Sequence, residues 1–228
     1  MFIDDVHKGS SFHNESKLTL SFSGDALLYG HMYLYWIITN KKRNGDSMKK
    51  ALVIIDVQND YFKEGRMALH SPEQALANIN KLEASFIEKQ LPIIYIQHIN
   101  DQEAADFFER GTKGVLLHEQ LKTTHSSIII EKHFPNSFIE TNLKETLDSL
   151  GVQQVIITGM MTHMCIDSTT RASKELGYQP ILISDATATK ALTFEAHEIP
   201  AEAVQRAFLS ALETFSTVMK TDDYLNGL

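Results

Sequence analysis

With 228 residues and 43% hydrophobic content, the chain carries enough apolar surface for one well-buried α/β domain and is short for two. A net charge of -8, from acids spread along the chain, leaves no basic stripe to neutralise phosphates, which argues against nucleic acid as a partner. The single cysteine cannot close an internal disulfide, and a structural zinc site would lack ligands, so a reducing, cytoplasmic setting is expected.

Residues 1–47 differ in character from the remainder of the chain. Polar stretches flank the apolar run Ala26–Thr39, and no amphipathic repeat joins them. That run has 14 residues and is interrupted by His31, too short to span a bilayer, and the segment lacks the charge order and cleavage pattern of a signal peptide. The expectation is no membrane association, a domain over residues 48–228, and an N-terminal extension over residues 1–47 that stands outside the fold. A translation start at Met48 is the favoured reading of that boundary.

From Ala51 onward, short β-branched runs alternate with longer helical patterns, the signature of repeated βαβ units and a mostly parallel sheet. The first strand is Ala51–Val57. After it, Ser71 as N-cap and Pro72 at the first position open a helix over Pro72–Gln90, with Leu76, Ile79, Leu82 and Phe86 on one face. Pro92–Gln97 is the second strand, and Asp101–Thr124, with Gly111 and Gly114 and no clear period, reads as a long loop over the sheet edge. Ser127–Glu131 is the third strand. A helix over Asn136–Leu150 closes on Gly151, Gln153–Thr158 is the fourth strand, and a helical region runs from beyond Thr162 to Gly177. Pro180–Ser184, a helix over Ala201–Thr214 behind Pro200, and Thr217–Lys220 complete a six-stranded, three-layer α/β/α sandwich. Each strand is a continuous apolar run of the kind buried on both faces.

In such a sheet, ligands bind beyond the carboxyl ends of the strands, so polar residues there are the first candidates for chemistry. Asp56 interrupts LVIIDV at the end of the first strand, Lys132 follows SSIIIE, and Cys165 lies six residues after Gly159 in VIITGMMTHMC. Taken singly, each has an ordinary structural explanation: a turn carboxylate, a rim lysine reaching water, an inert buried thiol. Together they make a working set. A thiol must lose its proton to attack a carbonyl carbon, an ammonium favours the anion, and a carboxylate can take the proton and later pass it to a departing nitrogen. A sulfur at or near a helix N-terminus is further expected to be stabilised as thiolate by the macrodipole.

The segments DVQNDYF, IIIEKHFPNSF and TGMMTHMCIDSTTRAS, in that order, resemble the isochorismatase-like cysteine hydrolases, a family that includes nicotinamidases, N-carbamoyl amide hydrolases and isochorismatases. The resemblance covers essentially Met48 to the C-terminal region. It implies a strand order 3-2-1-4-5-6 and a triad of Asp56, Lys132 and Cys165 acting on a small amide or carbamoyl compound through a thioester. It also implies a cis peptide between Met160 and Met161, an oxyanion hole from the backbone N–H groups of Met161 and Cys165, and assembly as a homo-oligomer.

The chain departs from part of that family. Nicotinamidases carry an Asp-x-His motif and further histidines for a divalent metal, whereas the matching stretch here is IYIQHINDQ, with only His98 and Asn100. One imidazole and an amide make a poor metal site, so neither metal nor cofactor is expected, and His98 is read with Phe62 as lining a substrate pocket. True isochorismatases of the family replace the cysteine, so Cys165 points to attack on a carbonyl. A nicotinamidase proper, and a catalytically silent binding or redox protein of the same fold, are the alternatives.

Overall fold

The computed structural model describes residues 48–227, and the expected N-terminal extension lies outside that range. Six strands form one sheet: β1 (Lys50–Ile55), β2 (Ile93–His98), β3 (Ile128–Lys132), β4 (Gln154–Met160), β5 (Gln179–Ala188) and β8 (Thr217–Met219). Every pairing is parallel, and the order is β3-β2-β1-β4-β5-β8. The expected order stands, with the last strand eighth in the chain because the hairpin β6 (Leu192–Phe194) and β7 (His197–Ile199) precedes it.

Alternation along β1 sets the layers. Leu52 and Ile54 join one apolar cluster, with Leu76, Ile79, Leu82 and Phe86 of α1 (Pro72–Glu88). Ala51, Val53 and Ile55 join another, with Leu143 and Leu147 of α2 (Leu143–Ser149), and with Leu212, the last residue of α4 (Ala201–Leu212). Side chains of a strand point alternately to opposite faces, so two clusters split this way make the α/β/α sandwich. Two more helices, α3 (Asp167–Glu175) and α5 (Thr221–Leu225), complete the α-helices among the described residues. Among the described residues no helix is long and apolar enough to cross a membrane.

Three expectations need correction. Strand β3 is not buried on both faces: it lies at the sheet edge, where Ile129 is 45% exposed, and β8 at the other edge is likewise only half covered. The helix expected from Asn136 begins only at Leu143. Before it, Asn136 Oδ1 accepts from the Phe138 N–H and the Thr141 hydroxyl donates to the Ser137 carbonyl, so short polar side chains satisfy the backbone without a helix. Ser71 stands at the N-cap of α1 but in the left-handed region, φ 51°, and its hydroxyl makes no capping bond.

At the carboxyl end of the sheet, β1 and β4 pair through Ile55 and Gly159. Gly159 has φ 120°, and a Cβ there would collide with the carbonyl oxygen of Ile55, so only glycine lets these two strands close at this level. The loop Asp101–Thr124 packs over the same end: the His118 N–H donates to the Val57 carbonyl and the Asp60 N–H to that of Gly114.

Candidate active site

Asp56 follows β1 directly, with φ 53°, a left-handed conformation that Asp tolerates better than most residues. Lys132 is the last residue of β3 and is paired in register with His98, the last residue of β2. Cys165 lies in a π-helical turn, Thr162–Ile166, that runs into α3. The turn is reached from β4 through a cis peptide between Met160 and Met161. Three strand ends and one helix entrance thus converge.

The side chains meet there. Lys132 Nζ stands 2.8 Å from Asp56 Oδ2 and 3.2 Å from Cys165 Sγ, with Asp56 and Lys132 fully buried and Cys165 4% exposed. The same ammonium contacts His98 Nδ1 at 2.9 Å and the carbonyl of Phe134 at 3.0 Å. Neither carboxylate oxygen of Asp56 has a well-aligned hydrogen bond among the described residues, so the Lys132 contact is charge pairing, and acceptor capacity remains.

Burial by itself would raise the Asp56 carboxyl, but the Lys132 charge holds it below the ordinary carboxylate value. Burial would likewise lower Lys132, and Asp56 and the sulfur keep it above the ordinary lysine value. The pair is therefore ionised at rest. Cys165 goes the other way: burial first, and the Asp56 charge second, push the thiol far above its ordinary range, with Lys132 only partly opposing them. The expected resting thiolate is corrected accordingly. One ammonium already balances one carboxylate, and a second anion beside them would leave net negative charge in a dry site.

The chain has one cysteine, so thiol loss reads this residue alone. Iodoacetamide is expected to alkylate Cys165 of the ligand-free protein more slowly than free cysteine at pH 8. A rate equal to or above that of free cysteine would refute the neutral thiol.

The sequence pointed to other residues with mixed results. His98 is brought into the cluster. Phe62 packs its ring on that of His118, centroids 4.1 Å apart, as part of the core. Gln58 and Tyr61 were missed. The Gln58 amide donates to the His98 carbonyl at 2.9 Å and accepts from the His98 N–H at 2.8 Å, clamping the end of β2. Tyr61 is buried, and its phenol is raised well above the ordinary value by burial and then by Cys165 and Asp56. The available signal was their place in DVQNDYF, two and five residues after Asp56.

Comparison with known proteins identifies the family and the fold. The family model for the Isochorismatase domain matches residues 50–223. An uncharacterised isochorismatase family protein of Bacillus subtilis, YddQ, is 42% identical over 179 residues, covering 78% of this chain and 99% of that protein. Nicotinamidase 3 of Arabidopsis thaliana is 28% identical over 162 residues, covering 65% of this chain and 78% of that one. The crystal structure of an isochorismatase from Pseudomonas putida KT2440 superposes with a TM-score of 0.73 at 29% identity, covering 82% of this chain and 96% of that one.

Proposed function

The chain belongs to the isochorismatase family, and on that footing we propose that it is a cysteine hydrolase that cleaves a C–N bond of a small amide or carbamoyl compound through a thioester on Cys165. The observation that carries the reading is the buried contact of Lys132 Nζ with both Asp56, at 2.8 Å, and Cys165, at 3.2 Å. Relatives that act on amides, such as the nicotinamidase of Arabidopsis, support the bond type.

Asp56 takes the thiol proton as sulfur attacks the carbonyl carbon, so no free thiolate has to persist. Lys132 keeps Asp56 ionised beforehand and offsets the negative charge that develops. The N–H groups of Met161 and Cys165 receive the oxyanion, and the Met161 N–H has no acceptor among the described residues. Asp56 then gives the proton to the nitrogen, the C–N bond breaks, and the amine leaves. A water loses its proton to Asp56 and attacks the thioester, the C–S bond breaks, and that proton returns to sulfur. A panel of primary amides and carbamoyl compounds, with acyl-enzyme detected by intact mass, tests the reading. No turnover and no adduct across the panel, in protein that unfolds cooperatively, would reject it.

The metal used by part of the family does not fit these residues. Asp56, His98 and Cys165 offer ligand atoms within 4.8 Å of one another. Lys132 Nζ, however, already contacts each of them at 2.8, 2.9 and 3.2 Å. A dication bonded to all three would stand within roughly 5 Å of that ammonium, given metal–ligand bonds of about 2.0–2.3 Å. Two cations so close in a buried site repel strongly. Turnover is therefore expected to survive exhaustive chelation and to gain nothing from added zinc, manganese or iron. Loss on chelation with recovery on one metal would move the nicotinamidase alternative to first place.

A further inference from the structure

Three acceptors face the three protons of the Lys132 ammonium, with the Asp56 carboxylate paired to it by charge. Asp56 Oδ2, His98 Nδ1, the Phe134 carbonyl and Cys165 Sγ stand at 2.8, 2.9, 3.0 and 3.2 Å. An ammonium donates three hydrogen bonds and accepts none, so a proton on His98 Nδ1 would face another proton across that short contact. Asp56 Oδ2 stands 3.8 Å from the same nitrogen, beyond hydrogen-bond reach, so the shorter Lys132 contact decides: Nδ1 carries the lone pair, and the ring proton sits on Nε2.

The ring has little freedom to escape this arrangement. Gln58 holds both backbone polar groups of His98, and the residue is paired in register with Lys132. Nε2 has no hydrogen-bond partner among the described residues. The side chain is 16% exposed and lines a cavity of about 490 Å³ together with Ile99, Asn100, Asp101, Gln102 and His133. A ring nitrogen of His98 also lies within 4.8 Å of Cys165 Sγ, so a molecule attacked by the sulfur passes beside the ring.

We propose that His98 is a specificity-determining residue, whose Nε2–H, fixed by Lys132, donates a hydrogen bond to an uncharged acceptor on the substrate a few bonds from the scissile carbonyl. The inference rests on the amide-hydrolase reading and adds to it the feature the substrate must carry. An uncharged acceptor, such as an amide oxygen or a ring nitrogen, suits the site better than a carboxylate, because the Asp101 carboxylate lines the same cavity.

The test has two parts on the full-length protein. Nitrogen-15 NMR of labelled histidine is expected to show His98 protonated on Nε2 and unprotonated on Nδ1 at neutral pH. Titration with two shape-matched pairs, nicotinamide against benzamide and malonamide against butanamide, is expected to shift the His98 Nε2–H signal with the first member of each. Those first members should also bind about 3- to 10-fold more tightly, the range of one neutral hydrogen bond. His98→Leu should erase the preference. His98→Gln, which can accept from Lys132 through its oxygen and donate through its nitrogen, should retain part of it. A proton on Nδ1 would overturn the proposal, as would equal response to the members of both pairs, no response included. If the tautomer and the preference hold while no amide is turned over, the hydrolase reading fails and the binding role of His98 stands.

Discussion

Cys165→Ala, Asp56→Asn and Lys132→Ala are each expected to lower kcat/KM on the best amide of the panel by about a thousand-fold or more. Each removes one part of a single proton-and-charge relay built from contacts of 2.8 and 3.2 Å. Without sulfur no thioester forms. Without the Asp56 carboxylate the neutral thiol has no base, and without Lys132 that carboxylate loses the cation that keeps it ionised. The effects should not add. Because any one loss disables the unit, Cys165→Ala/Asp56→Asn should be no slower than the worse single variant. A double variant slower by the product of the two single effects would mean that the residues act independently, and the triad would have to be abandoned.

The same ion pair makes these substitutions unequal in stability. Asp56 and Lys132 are both fully buried, and removing one partner of a buried pair leaves an uncompensated charge. Lys132→Met is expected to cost about 3–5 kcal/mol at neutral pH, measured by urea unfolding. The isosteric Cys165→Ser should cost far less. The pH dependence is set by the sign of each shift. In the wild type the Asp56 carboxyl is held below its unfolded value, so its contribution is present above the ordinary carboxylate range and is lost as pH falls through the folded value. In Lys132→Met the cation is gone, burial dominates and the folded carboxyl rises above the unfolded value. The deficit of that variant should then shrink as pH is lowered toward about 4. Adding Asp56→Asn should recover most of the loss at pH 7. An unchanged deficit in the double variant would show that the cost comes from packing of the lysine stem.

Why some of this could be read from the chain and some could not is a matter of which forces leave a local trace. Runs such as LVII and VIIT mark buried strands because burial involves consecutive side chains, and a polar residue ending such a run marks a site. Asp56 and Lys132 stood out as candidates for that reason, and Cys165 stood out as the chain's one cysteine, six residues after Gly159. The Ile128–Ile130 run looked equally buried, yet edge or centre is decided by neighbours far away in the chain, and β3 took the edge. The hairpin Leu192–Ile199 escaped notice because it is short and exposed, and its turn uses Glu195 and Ala196 at positive φ in place of an Asn-Gly pair. The thiolate expectation failed for a related reason. Spacing showed a sulfur near a helix entrance, but desolvation and the placement of Asp56 are set by tertiary structure. His98 was visible only as a lone imidazole, and its tautomer depends on an ammonium 34 positions away.

The enclosure of Lys132 has a further consequence, for the chemistry of the lysine itself. An acylating reagent needs an amine with a free electron pair and room to approach. The Lys132 nitrogen is protonated, held by acceptors and has no exposed side-chain surface. Lys144 and Lys81, whose side chains are 46% and 52% exposed, meet neither obstacle to the same degree. Acetylation of Lys132 can therefore proceed only from moments in which the end of β3 separates from β1 and the turn bearing Cys165. Followed by peptide mass spectrometry beside the exposed lysines, it serves as a clock for how often this end of the sheet breathes.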